Sequence, residues 1–260
     1  MSFDVSADAY RRFMGRFSEP LAARFADLAG VRHRQRALDV GCGPGALTAE
    51  LAGRLGVNAV CAVDPSPPFA EAVAERLPGV EVGVAAAERL PFPDGAFDAA
   101  LAQLVVHFMT DPVAGLREMG RVTRPDGVAA ACVWDHGGGR GPLTSFWHAV
   151  RELDPAAPDE SGQAGVGEGQ LARLFDQAGL AGAEATTLTA TPGSRSPAAT
   201  ANDSEGSTAQ TPPAPSRPDS SAVSAPGPQP TSSARCPFRT PARSANRSAS
   251  GSEYRPMNRV

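Results

Sequence analysis

The residues best placed to do chemistry lie in one glycine-rich run and at the end of the strand that follows it. Leu38-Asp39-Val40-Gly41-Cys42-Gly43-Pro44-Gly45 joins an apolar, strand-like stretch to a helical one. Glycines at such a junction let the chain turn tightly and bring backbone N–H groups against a ligand. The run alone is ambiguous. Gly41-x-Gly43-x-x-Ala46 also fits the dinucleotide fingerprint, which seats a pyrophosphate on a helix N-terminus, and a glycine turn with no ligand has the same appearance. Asp39 separates these readings. A carboxylate two residues before the first glycine repels a pyrophosphate. It suits a ligand with an amino acid end, whose ammonium takes a carboxylate directly or through water. Asp64 closes the second strand, nineteen residues past Gly45, where a carboxylate accepts hydrogen bonds from both ribose hydroxyls. The pair points to an adenosyl amino acid.

The elements that must hold these residues alternate along the chain. Ala37–Val40, Asn58–Val63, Val80–Ala85, Phe97–Val106 and Val128–Trp134 have strand character, with Ala183–Ala190 as a sixth strand. Helices are predicted near Ser18–Ala29, Ala46–Leu55, Phe69–Leu77, Val113–Val122, Leu143–Leu153 and Gly169–Ala178. Ser18 serves as N-cap of the first and Pro20 sits in its first turn, while Pro125-Asp126-Gly127 makes a turn into the fifth strand. Strands alternating with helices indicate a Rossmann-like, doubly wound α/β fold with a mostly parallel sheet.

Four stretches in order resemble the motifs of class I S-adenosylmethionine-dependent methyltransferases, of the branch typified by ubiquinone/menaquinone-biosynthesis C-methyltransferases. They are Asp39 to Gly45; Asp64; Ala87-Glu88-Arg89-Leu90-Pro91-Phe92-Pro93-Asp94-Gly95-Ala96-Phe97-Asp98; and Glu118-Met119-x-Arg121-Val122-x-Arg124-Pro125-x-Gly127. The resemblance covers roughly Tyr10 to Ala190. It implies S-adenosylmethionine as cofactor and a small-molecule methyl acceptor. By it, Asp39, Gly41, Cys42, Gly43 and Gly45 support the methionine part, Asp64 and the following Pro65 lie at the ribose, and Ala87 and Glu88 lie along adenine. Gln103 falls near the methionine end or the methyl group, and Arg16 is the candidate partner of the cofactor carboxylate. His107 is the candidate general base, with a plain packing role as its alternative. Asp135 and His136 are candidate acceptor-lining residues. One departure stands out: the family has Asp where this chain has Ala86, so adenine recognition falls to backbone and apolar packing. A nicotinamide-dependent oxidoreductase remains the alternative enzyme class; it leaves Asp39 unexplained, and the chain has no lysine for a Tyr-x-x-x-Lys pair. A cofactor-binding protein without activity is the other alternative.

Composition bounds the rest. All 24 basic residues are arginine. Residues 191–260 hold 8 Arg against 4 Asp and Glu, so a total of -4 leaves -8 on residues 1–190, which argues against nucleic acid as partner. No apolar run reaches membrane-span length, and Met1–Tyr10 lacks the pattern of a signal peptide, so a cytoplasmic location is expected. The spacing of Cys42, Cys61, Cys132 and Cys236 indicates neither a zinc site nor a disulfide framework, and no metal is expected. Residues 191–260 contain 14 Ser and 12 Pro with no Leu or Trp. Ordering them costs on the order of 100 kcal/mol, against about 10 to 20 kcal/mol from six large apolar or sulfur side chains. The chain therefore divides into a methyltransferase domain, 1–190, and a low-complexity disordered tail, 191–260, of the composition that GC-rich coding sequence has when read out of frame. No alternating apolar run follows Leu188-Thr189-Ala190, so the C-terminal part of the sheet is expected to be incomplete.

Overall fold

A computed structural model of the chain describes residues 7–157, 160–180, 182–189 and 219–226. Its strands are β1 (Ala37–Val40), β2 (Val60–Asp64), β3 (Glu81–Val84), β4 (Phe97–Gln103), β5 (Thr123–Trp134), β6 (Glu184–Thr189) and β7 (Asp219–Pro226). The helices are α1 (Ala7–Leu28), α2 (Ala46–Leu55), α3 (Pro67–Arg76), α4 (Pro112–Val122), α5 (Thr144–Leu153) and α6 (Gln170–Gln177). The sheet runs β3-β2-β1-β4-β5-β7-β6. The first five strands are parallel, and β7 is antiparallel to both β5 and β6.

Helices cover both faces because successive strand residues face opposite ways. In β1, Ala37 packs with Phe17, Leu21 and Phe25 of α1 and Leu47 and Leu51 of α2. Its neighbours Leu38 and Val40 pack with Leu116 and Met119 of α4 and Phe175 of α6. Connections from β1 lead to one side of the sheet and from β4 to the other. The crevice at the carboxyl end of β1 is thus the switch point where open α/β sheets bind ligands.

Two local readings differ from the sequence. The first helix begins at Ala7 and runs through Pro20, with no N-cap at Ser18. An interior proline costs about 3 kcal/mol, which the burial of Leu21, Ala22, Phe25 and Ala26 at helical spacing offsets. The Pro125-Asp126-Gly127 turn lies inside β5. Phe97 pairs with Thr123 and Ala99 with Val128, so the extra residues form a bulge, with Asp126 at φ 56°.

The largest correction is at the end of the sheet. The expected gap is filled by Asp219–Pro226, which pairs Val128 through Trp134 on one side and Glu184 through Thr189 on the other. Two facing strand edges with unpaired N–H and C=O groups accept any chain able to extend between them, and that demand needs no apolar alternation in the inserted strand. The remainder of the tail expected to be disordered lies outside the described residues. Cys42 and Cys132 are free and buried. Cys61 is disulfide-bonded, against the expectation from spacing, since pairing depends on separation in space. Among the described residues no helix is long and apolar enough to cross a membrane, and no cluster of His, Cys, Asp and Glu is arranged to hold a metal.

Candidate active site

β1 delivers Asp39 to its carboxyl end, and the Gly41–Gly45 loop then turns the chain into α2. Gly41 has φ 69°, and a Cβ on it would collide with the Val105 side chain, so only glycine fits. Gly43, at φ 50°, has nothing within 4 Å of a Cβ position. Its openness is that of a cavity of about 410 Å³, lined among others by Asp39, Gly41, Cys42, Gly43, Asp64, Pro65 and Gln103. Ser18, Ala46, Leu47, Phe69, Leu104 and Phe108 complete much of the wall.

Asp39 is buried. The Thr48 hydroxyl donates to its Oδ2 at 2.6 Å, and the Thr48 N–H also donates to its carboxylate. It thus anchors the third residue of α2 from the neighbouring strand. Burial pushes its pKa up to about 7; the Thr48 bonds oppose the rise and the charge of Asp64 adds to it. The Asp64 carboxylate accepts from the Gly43 N–H and the Ser66 N–H, each at 2.8 Å. One lone pair on each oxygen stays available. Burial raises its pKa, and the two N–H bonds hold it down. α2 has no side-chain cap at Gly45. Of its first-turn N–H groups, that of Thr48 is taken by Asp39; Ala46 and Leu47 both line the cavity, and free N–H groups of a first turn point out of a helix N-terminus toward anions.

Gln103, at the end of β4, donates from Nε2 to the Ser18 carbonyl at 3.0 Å, tying α1 to the cavity. Its Oε1 is buried with no hydrogen-bond partner. The Cys42 thiol is held protonated by burial and by the two neighbouring carboxylates.

Seven expected residues, Asp135 and His136 among them, do not line the cavity. Gly45 caps α2 behind the loop, at φ 83°. Arg16 is exposed, its guanidinium over the rings of Phe13 and Phe17 at 5.3 and 5.2 Å. Ala87 is buried in the core on the α4 side. Glu88 accepts from the N–H groups of Thr110 and Asp111 at 2.7 and 3.1 Å, fastening the approach to α4. His107 sits in a 3-10 turn, Val106–Phe108, its ring 6.2 Å from that of His136. Its Nδ1 is buried without a partner, and burial, with His136 adding, lowers its pKa to about 3. Near neutral pH it is uncharged and a weak base. Asp135 accepts from Gly138 N–H and from the Arg140 guanidinium, both at 2.6 Å, which closes the loop after β5.

Ser66, Phe69 and Phe108 on the wall, and Arg76 behind it, were missed by the sequence reading. Arg76, on α3, donates to the Pro44 and Gly45 carbonyls at 2.9 and 2.7 Å and so pins the glycine loop from outside. A basic residue one helix downstream carries no spacing signal for such a contact.

Residues 38–131 match the methyltransferase domain family. The chain is 40% identical over 101 residues to the demethylmenaquinone methyltransferase of Beutenbergia cavernae, covering 39% of this chain and 41% of that protein. It is 34% identical over 133 residues to the nocamycin O-methyltransferase of Saccharothrix syringae, covering 49% and 48%. The chain spans about half the length of the curated relatives it matches. A SAM-dependent methyltransferase from Aquifex aeolicus has the same fold, with a TM-score of 0.56, 17% identity, and coverage of 85% of this chain and 98% of that one. The glycine loop and Asp64 lie inside the segment that matches the methyltransferase domain family, and the chain has the fold of S-adenosylmethionine-dependent methyltransferases.

Proposed function

We propose that the protein transfers a methyl group from S-adenosylmethionine to a small-molecule acceptor, with the cofactor held in the cavity of the glycine loop. The observation that carries this reading is the wall itself: two buried carboxylates, no basic side chain among its described lining residues, and the first two residues of α2, Ala46 and Leu47. The carboxylates disfavour a pyrophosphate and favour an ammonium, while the helix N-terminus suits a carboxylate. An amino acid end carries both groups. Asp64 retains lone pairs for ribose hydroxyls, Pro65 and Phe69 offer an apolar wall to adenine, and the orphan Gln103 Oε1 suits an N–H donor.

The bound cofactor supplies a methyl group activated on a sulfonium. The protein's contribution is alignment and exclusion of water, and proximity supplies about 7 to 11 kcal/mol in such displacements. A histidine titrating at about 3 adds little as a base near pH 7, so transfer to an acceptor that is already nucleophilic fits the site best. Thermal melting tests the reading. S-adenosylmethionine and S-adenosylhomocysteine at about 100 Kd should each stabilise the fold by roughly 2.7 kcal/mol, and NADH should not. Absence of any shift with millimolar S-adenosylmethionine overturns it.

A further inference from the structure

Asp39 and Asp64 stand on one cavity wall, and no cation offsets them. The strands, loop and helix in contact with Asp39 bring it no counter-charge. β2 contributes the Asp64 carboxylate and α2 contributes the neutral Thr48. The loop contributes the protonated Cys42, and β5 contributes Cys132, whose thiol the same charge and its own burial hold protonated. β4 pairs Leu101 with Asp39 and adds the neutral Gln103 to the wall. Arg76, the nearby guanidinium, does not line the cavity and is taken by the Pro44 and Gly45 carbonyls. No basic residue enters the electrostatics of Asp39. A buried carboxylate with a second one beside it and no counter-charge holds a proton until a cation arrives.

We propose that the cavity takes up its cationic ligand in exchange for a proton carried by Asp39, so that cofactor binding and proton release are one event. The inference rests on the S-adenosylmethionine reading for the ligand's identity alone. The ligand's ammonium replaces the proton as the partner of the carboxylate, and the Thr48 hydroxyl and N–H keep that carboxylate oriented in both states.

With Asp39 titrating at about 7 in the free protein, binding releases about half a proton at pH 7 and about nine-tenths at pH 6. Over the same range affinity rises with pH, by roughly eightfold from pH 6 to 7.5. Above that window the ligand's own α-amino group begins to lose its proton, at roughly 7.7 to 8.0. The experiment is titration calorimetry with S-adenosylmethionine in buffers of different ionisation heat, at pH 6, 7 and 7.5. The parent should show the proton release and the pH-dependent Kd. Asp39→Asn should bind more weakly, with no release and a flat profile. Thr48→Val, which removes a bond that favours the ionised form, should move the whole profile to higher pH.

The ligand-free protein gives a second measurement. The folded chain keeps a proton on Asp39 that the unfolded chain, with its ordinary carboxyl near 3.8, releases. The sign follows: this group's stabilisation is full below about pH 4 and lost as pH rises through about 7. The parent should therefore lose melting temperature over that interval relative to Asp39→Asn. Failure of S-adenosylmethionine to bind overturns the functional reading and this proposal together. Binding without proton release, or release that persists in Asp39→Asn, overturns this proposal alone.

Discussion

Gly41 and Gly43 look alike in the sequence, yet the structure uses them for different purposes. A side chain at Gly41 collides with Val105 and adopts a left-handed backbone. Gly41→Ala should therefore cost several kcal/mol of stability, read as a lower urea midpoint with or without ligand. Gly43→Ala meets open space, so its stability cost is only the left-handed penalty of about 1 kcal/mol. Its Cβ enters the cavity, so calorimetry should show cofactor affinity lowered at least tenfold. Equal losses of stability in the two variants would contradict this division. The place of Asp39, Asp64, Gly41 and Gly43 at the cavity was legible from the sequence because it depends on local spacing. The hold of Thr48 on Asp39, and the exposure of Arg16, depend on how α1 and α2 pack, and spacing does not carry that information.

Among the elements, the stretches that most resemble a family turn out to be scaffold as well as site. The Glu118 carboxylate accepts from Leu90 N–H at 2.9 Å, and Arg121 donates to the Leu90 and Phe92 carbonyls at 3.0 and 2.8 Å. The two ends of α4's last turn thus clamp the segment between β3 and β4. Asp98 accepts from Arg36 N–H at 2.6 Å and from Arg124, while a Cβ on Gly127 would meet the Asp98 carbonyl at 2.6 Å. Arg121→Ala frees two buried-side carbonyls and should lower stability by about 2 to 4 kcal/mol. Binding of S-adenosylmethionine per folded molecule should stay within about twofold, checked by denaturation and calorimetry on the same sample. The order and type of β1 to β5 and α2 to α4 were readable because amphipathic period and caps are local properties. Asp111, which caps α4 by accepting from Ala114 N–H at 2.9 Å, went unread. The full extent of α1 was not readable, because Pro20 reads as a helix start and only the burial of the surrounding apolar face overrides it.

For the whole molecule, the sheet depends on a strand from beyond residue 190. A chain ending at Thr189 leaves the β5 edge open and gives β6 no described partner. That truncation should melt at lower temperature, by on the order of several kcal/mol of lost ladder bonds, and should associate through the bared edges, visible by light scattering. A truncated chain as stable and monodisperse as the parent would remove β7 from the account. Periodicity missed this strand because Asp219-Ser220-Ser221-Ala222-Val223-Ser224-Ala225-Pro226 has one large apolar residue. Its position is set by two neighbours waiting for partners, a three-dimensional condition. An out-of-frame origin for the tail is separately checkable: another reading frame downstream of the Ala190 codon should then encode an apolar strand and helices.

The insertion of β7 between β5 and β6 also fixes an order of assembly. β6 leaves the ribosome some thirty residues before β7, yet its ladder bonds run to β7. Through that interval the nascent chain holds five consecutive parallel strands and a sixth with nothing to pair with. Closing the gap requires a long-range loop, the slow kind of contact in folding. In pulsed hydrogen exchange during refolding, amides of β6 should gain protection together with those of β7, after β1 to β4, and the late step should slow when the 190–218 connection is lengthened.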